Sequence, residues 1–575
     1  MKKLHSLLVL ALTLNTWVSA QNCNCKYTIT ANQTNVDASN LNIQPGDTVC
    51  IQASSKRCLR LVNFHGSPEK YIVFKNCGGA VVIQNTDMNY GIAIHNSSYF
   101  RFTGSGCSDI KYGIKIMGTK DGASGMGIGE FSTNFEIDHI EIANTGFAGI
   151  FSKTDPKCDL SSNRGNFTQY QSVYHDNYIH NTGGEGMYIG HSFYSGYTST
   201  CDGVSTVLYP HELKGVRVYN NIVDSAHWDG IQVGCATEDC EIYNNTVTHF
   251  GVSGTYAQGN GIQIGTGTTG KCYNNYIENG SGSGIIIFGS GNNDIYNNVI
   301  VNAGYNYYPA DSTKRVHGIF CDDRATIPGS SFNFYNNTIV TPKTDGIRFT
   351  STVSRNNKFF NNVVLKPGSL RSYSKYSKEN PYINIGSKAG VDAVVSHNYL
   401  DKDLMNIKFV DPQNGNYRLS ATSPAIDAGM DLLLYGINYD FDNHPRPSGN
   451  GFDAGAFEFQ SDSVTSEVPV ASLLMMSNLA STSTEQTDDT TSELESLTEF
   501  NVYPNPNNGK FFIRRNNLSN VNIQLSNSMG NPIYSKGNVS DNYRELNLHK
   551  KVSKGNYYLT LSNNEGSTTK IVIVN

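Results

Sequence analysis

The chain has 575 residues, of which 16% are charged, with 55 glycines, 34 tyrosines and a formal net charge of -6. That length is too great for one compact core, and the composition predicts a strand-rich protein of several domains or a solenoid. The slightly negative balance, with no Lys/Arg-rich stripe against it, excludes a nucleic-acid partner.

Residues 1–20 join Met1-Lys2-Lys3, an apolar run from Leu7 to Leu14 and the small pair Ser19-Ala20, which are the parts of a secretory signal. The run is too short for a membrane span, so the mature chain is expected to have no transmembrane segment. All twelve cysteines lie between Cys23 and Cys321. In an oxidising compartment they can staple loops, with Cys158–Cys201 and Cys235–Cys240 as the expected pairs. Zinc is the weaker reading, because Cys23 and Cys25 lack CxxC spacing.

From Cys23 to about Ala80, short strands such as Asp47 to Ile51 and Tyr71 to Phe74 alternate with turns, as in a cap and first coils. Between Gly91 and His397 two phrases recur. One is a polar or small residue before Gly and an alternating apolar pair: Glu185-Gly186-Met187, Asp229-Gly230-Ile231, Asn260-Gly261-Ile262, Ser283-Gly284-Ile285, His317-Gly318-Ile319 and Asp345-Gly346-Ile347. Weaker copies stand at Gly91, Gly113 and Gly149. The other phrase is an aromatic followed by two asparagines, from Tyr219-Asn220-Asn221 to Phe360-Asn361-Asn362, with outliers at His175-Asp176-Asn177 and His397-Asn398. The second asparagines, 177, 221, 245, 275, 298, 337, 362 and 398, are 44, 24, 30, 23, 39, 25 and 36 residues apart. A minimum near 23 with elastic excess marks a coil with loops of varying length. Short alternating apolar runs make its walls strands, not helices. Stacked coils put these asparagines above one another, where their amides can form a ladder, so they are structural; the tyrosines of the phrase are expected in the core.

On these repeats, the stretch from about Asn22 to Gln460 resembles the right-handed parallel β-helix proteins, a family that includes pectate and alginate lyases, chondroitinases and polygalacturonases. The resemblance implies an all-β solenoid over residues 21–460. It does not carry catalytic roles across: Asp322-Asp323 follows His317-Gly318, the reverse of the polygalacturonase order, and the Trp-Ile-Asp-His phrase of pectate lyases is missing. The closing part, Phe409 to Glu458, is similar to the ends of many secreted β-helices. Its acids Asp427, Asp442, Asp453 and Glu458 are read as solvated turn carboxylates in preference to a calcium site.

Residues 461–497 are rich in Ser, Thr, Glu and Asp and read as a linker. The strands of residues 498–575 predict a small β-sandwich. Through Tyr503-Pro504-Asn505-Pro506, Gly555-Asn556-Tyr557-Tyr558 and the last apolar strand, this segment resembles the type A sorting domain of the Bacteroidetes type IX secretion system. That resemblance implies the secretion machinery as a partner, and release from or attachment to the outer cell surface.

In a β-helix, equivalent residues of successive coils lie about 4.8 Å apart, and a column of them makes a groove suited to a linear polymer. The residue before each Gly gives one column: Ala148, Glu185, Asp229, Asn260, Ser283, His317 and Asp345. Two positions after the Gly, a second runs Phe151, Tyr188, Gln232, Gln263, Ile286, Phe320 and Arg348. If Glu185 and Asp229 are adjacent, one keeps a proton or a cation lies between them. Shared, the proton suits a retaining glycosidase. A calcium ion on Glu185 and Asp229 would instead neutralise a uronate and let Lys153 or a histidine remove the neighbouring proton. The bland alternative is that these acids cap turns. Glu185, Asp229, Lys153 and His191 are the expected catalytic residues; Tyr188, His227, Trp228, Gln232, Gln263, Arg324 and Arg348 are expected to bind substrate. The expectation is a secreted or cell-surface monomer that cleaves a polysaccharide without an organic cofactor, a lyase ahead of a hydrolase. The alternative is a non-catalytic adhesin or glycan-binding solenoid.

Overall fold

The computed structural model describes residues 23–460, apart from 85–86, 256, 305–314, 369–381 and 386–389, and residues 500–574, apart from 504–509, 516–519, 528–530, 540–542, 549–551 and 564–565. The secretory signal, the linker and Pro504 to Pro506 of the terminal motif lie outside the described residues. Two compact units are present, and no described helix is long and apolar enough to cross a membrane.

In the first unit the repeat folds as the Gly and Asn phrases dictate. One coil runs along Arg217–Tyr219, turns at Asn220 and Asn221, continues along Ile222–Ala226, turns again and follows Ile231–Val233 before Cys240–Tyr243 begins the next. Each strand pairs in parallel with its counterpart one coil away. Three walls result. The third is a sheet of twelve parallel strands that runs from Asn35–Asp37 to Ile383–Asn384 among the described residues. β-Branched side chains suit these short, half-buried strands. They stack inward as columns such as Val223, Val247, Ile277, Ile300 and Ile339, all fully buried or nearly so.

The two asparagines of each corner divide the work. The first takes the left-handed conformation that a tight bend requires, with φ of 54° at Asn220 and Asn244 and 53° at Asn274. The second points inward. Asn177, Asn221, Asn245, Asn275, Asn298, Asn337 and Asn362 each donate from Nδ2 to the Oδ1 of the next at 2.9–3.0 Å, the run ending on Asn398. The same Oδ1 also accepts the backbone N–H of the preceding coil's asparagine, as Asn275 does from Asn245 at 3.1 Å.

Four expectations change. The phrase tyrosines do not fill the interior of the coils: Tyr219, Tyr243, Tyr273 and Tyr296 are half-buried and stack ring on ring at 4.8–4.9 Å, and Tyr335 is buried in a separate cluster with Phe360, Leu432 and Phe452, while the residue before each, such as Ile242, fills the main core. The Gly113 phrase belongs to the second wall, and Ser124–Gly129 takes its place in the third. Cys158–Cys201 is bridged, with Cys23–Cys77 and Cys25–Cys50. Cys235 and Cys240, by contrast, are free and buried, because the Cys235 thiol turns to the His191 carbonyl and Cys240 packs in the core.

In the closing segment Asp427 is exposed and Asp442 pairs with Arg418 at 2.6 Å, but Asp453 and Glu458 are buried around Arg446, not solvated. The segment docks on corner asparagines that the coils leave outward: Asn336 Nδ2 donates to the Asp453 and Gly455 carbonyls and Asn361 Nδ2 to that of Met430.

The second unit has two antiparallel sheets. One joins Phe500–Tyr503, Lys510–Arg515 and Tyr543–Asn547. The other joins Pro532–Val539, Val521–Asn527, Gly555–Asn563 and Gly566–Val574. Phe511, Ile523, Leu525, Leu559 and Val572 are among the side chains buried in its core.

Replacing Asn275 by Leu removes the acceptor of the buried Asn245 N–H and Nδ2 and the donor to the Ile242 carbonyl. It is expected to destabilise the solenoid by about 2–4 kcal/mol, read as a shifted denaturant midpoint. The exposed Asn438→Ala serves as the reference.

Candidate active site

The outer face of the third wall holds the second column in unbroken register, Phe151 beside Tyr188, Gln232, Gln263, Ile286, Phe320 and Arg348. The same register places Glu185 one coil from Asp229. Gly186 cannot carry a side chain: a Cβ would meet Val223 Cγ1 at 2.4 Å and the Gly230 carbonyl at 2.5 Å. The close approach, not a positive φ, explains the recurring glycine and seats Glu185 deep at the turn.

The two acids differ. Asp229 is enclosed, and its Oδ1 accepts hydrogen bonds from the Gly259 N–H at 2.7 Å, the Asn260 N–H at 2.6 Å and Asn260 Nδ2 at 3.0 Å. It caps a turn, and so is removed from the expected catalytic pair. Glu185 is 3% exposed, and its Oε2 has no hydrogen-bond partner. Burial, reinforced by the Asp229 charge and opposed by Lys153, pushes its carboxyl up to about 8, so it carries a proton at neutral pH.

Lys153 lies beyond this acid. Its Nζ stands over the rings of Phe151 and Tyr188, 5.0 and 5.3 Å from their centroids, and 2.7 Å from Asp155. Asp155, whose side chain is 61% exposed, also faces His191 Nε2 at 3.7 Å. Burial and the Lys153 charge push His191 down to about 4, so the ring is neutral. Its Nδ1 accepts the Phe193 N–H at 3.2 Å, which puts the ring hydrogen on Nε2, toward Asp155. Tyr197 stacks on the same ring at 5.6 Å, and the strand it opens, Tyr197–Cys201, ends in the disulfide to Cys158. Behind these, His211 Nε2 accepts the Thr154 N–H at 3.1 Å.

Lys153, Glu185, Tyr188 and His191 thus come together, with Asp155 as the member that sequence reading missed. Asp155 lies outside the repeated phrases, and only its place two residues after Lys153 hinted at it. Trp228 is half-buried, edge-on to Phe147 at 5.6 Å, and His227 is exposed. Gln232 donates to Ser192 Oγ at 3.0 Å and is buried, as is Gln263. Arg324 and Arg348 stand farther along. Of the Glu185–Asp229 pair expected to hold calcium, Asp229 Oδ1 is already taken by three donors. A third acidic group, Glu136 and Asp138 with His175, holds its own counterion in Arg101.

Residues 207–396 match the family model described as a right handed beta helix region, and residues 501–575 match the secretion system C-terminal sorting domain. The first unit is a right-handed parallel β-helix, and the terminal domain directs export through the type IX secretion system to the cell surface or beyond. Among solved structures, the chain is similar to an alginate lyase from Paenibacillus sp. str. FPU-7, at 15% identity over 65% of this chain and 99% of that one, with a TM-score of 0.30. It is similar to pectate lyase Pel9A at 13% identity over 77% and 99%, with a TM-score of 0.37. To XylC in complex with xylose it is 12% identical over 73% and 94%, with a TM-score of 0.33. No curated protein matches the chain.

The raised Glu185 sets a pH signature. An unfolded Glu ionises from about 4.5, whereas this one holds its proton to about 8; the native state therefore loses relative stability as pH rises through that window. Glu185→Gln is expected to gain stability over the parent between pH of about 4 and about 8, with no change in their difference below it, by denaturant melts across that range.

Proposed function

We propose that the chain is an exported enzyme that cleaves a uronate-containing polysaccharide by β-elimination on the third wall of the helix. The observation that carries the reading is a buried carboxyl that keeps its proton, Glu185, one coil from Lys153, whose ammonium is fixed 2.7 Å from an exposed carboxylate, Asp155. Lys153, held over two rings, meets the uronate carboxylate and lowers the cost of charge on the adjacent carbon. Asp155, oriented by Lys153 and the His191 N–H, takes that carbon's proton. The electron pair forms the carbon–carbon double bond as the glycosidic C–O bond breaks, and Glu185 gives its proton to the leaving oxygen. His191 orients Asp155 and does not itself accept the proton, since its Nδ1 is engaged.

A second reading, hydrolysis, is favoured by one observation. The Lys153 charge is already matched by Asp155 at 2.7 Å, which would leave Glu185 as acid and Asp155 as base or nucleophile. Asp229, enclosed and capping, is not the second carboxylate in either case.

Incubation with a panel of acidic glycans separates the two. Elimination yields new reducing ends together with ultraviolet absorbance from the double bond; hydrolysis yields reducing ends alone; an adhesin retains glycan and yields neither. Glu185→Gln is expected to lower kcat/KM by about 100-fold or more, whereas Asp229→Asn is expected to act chiefly on stability. Because the acid works only while protonated, activity is expected to fall as pH rises through about 8. It is expected to survive a chelator. A parent-like rate in Glu185→Gln would sink the assignment.

A further inference from the structure

Three and four coils beyond Tyr188 on the same face, a cleft of about 390 Å³ opens over Ile286 and Phe320. Its floor is apolar. Its rim is polar, with Gln258, Asn260, Ser283 and His317, and with Arg324 laid over the Phe288 ring at 4.1 Å. At a coil spacing of about 4.8 Å, Phe320 lies roughly 19 Å from Tyr188. Gln232 and Gln263 stand between them in the column.

The charges of this cleft are matched within the protein. Arg324 Nε lies 2.8 Å from Asp322 Oδ2 and 3.1 Å from its Oδ1. Arg315 Nη2 lies 3.0 Å from Asp345 Oδ2, and His317 Nδ1 lies 3.1 Å from the same oxygen. Burial keeps the His317 ring toward its neutral form. Arg324 is itself 54% exposed, as Asp155 is 61% exposed at the Lys153 end, so each end presents an internally matched ion pair to solvent. An apolar floor edged by a matched pair and by polar side chains fits the face and hydroxyls of a sugar ring.

We propose that this cleft is a subsite for an uncharged sugar residue, with Phe320 as its platform and Arg324 and His317 at its rim. It rests on the polysaccharide-cleaving reading of the Lys153 end, and it deepens that reading: the polymer carries both acidic and uncharged residues and is gripped some four coils from the point of cleavage. Each coil is close in height to one sugar unit of an extended chain.

The test uses the full-length chain carrying Glu185→Gln, alone and with Phe320→Ala or the milder, surface Arg324→Gln, in affinity gel electrophoresis. The probes are glucuronoxylan and gellan, which mix acidic and uncharged sugars, and the homouronates alginate and polygalacturonate. Retention by at least one mixed polymer is expected to weaken about tenfold in both cleft variants, and retention by the homouronates to stay as it was. Unchanged retention on both mixed polymers, or an equal loss on the homouronates, would overturn the subsite. In the otherwise unaltered enzyme the cleft variants are expected to raise KM on the long mixed polymer with kcat kept. Cleft-dependent retention by a protein that cleaves none of the four polymers would sink the enzyme reading and leave the subsite standing.

Discussion

Everything in the first unit depends on the register between coils, and the asparagine ladder is where that register is locked. A wall strand of three or four residues offers few backbone hydrogen bonds and cannot fix its own pairing. The inward amide adds a donor and an acceptor per coil at a corner closed to water, where a missing partner is costly. Because each Oδ1 serves both the side chain and the backbone of the coil before it, a slip by one residue would unpair several buried groups at once. The outer tyrosine stack, His175 and then Tyr219 to Tyr296, repeats the same constraint on the other side of the corner.

Register then decides function, because it converts sequence distance into column position. Glu185 and Asp229 are 44 residues apart in the chain and one coil apart in space. The excess over a minimal coil leaves the walls as a loop, and it is that loop which carries Ser192, Phe193 and the Tyr197–Cys201 strand to the site. A long insertion is tolerated where the flanking strands are held by their neighbours. The Cys158–Cys201 bridge ties this one to the preceding coil's loop, so the Tyr197 ring stacks on His191 from a tethered strand.

The columns were legible in the sequence because they obey period and spacing alone. Both keep the register that was read, from Phe151 to Arg348 and from Ala148 to Asp345, but the latter is buried along its length instead of lining an open groove. Less legible was what each position does. The tyrosines looked like core because they recur on schedule, yet a residue can recur equally well on the outer side of a strand when stacking rewards it. The reason for the Gly of each phrase was not legible either: at Gly186 and Gly230 it is the nearness of Val223 and Val247 that forbids a side chain. Asp155 was hidden for the opposite reason, since it belongs to no repeat. Cys235 and Cys240, near in sequence, were separated by a corner that turns one thiol to a carbonyl and the other into the core.

The contrast between Glu185 and Asp229 shows how a repeat yields a reactive position without breaking. At Asp229 the next coil presents two backbone N–H groups, from Gly259 and Asn260, and the short carboxylate reaches both. The equivalent groups above Glu185 belong to Trp228 and Asp229. The Trp228 N–H is already given to the Gly184 carbonyl, and where Asn260 adds a side-chain donor this coil has the Asp229 carboxylate, an acceptor. Without those donors, burial outweighs what its own backbone amide and Lys153 offer the ionised form of Glu185, and the proton stays. The scaffold hydrogen bonds around the turn are kept in both coils, as in Gly186 to the Asp229 carbonyl and Gly230 to that of Asn260. What differs is who receives the backbone amides and whether the next coil offers an amide or a carboxylate side chain, so a change in one coil's bonding turns a capping acid into a proton donor while the scaffold bonds of the turn are kept.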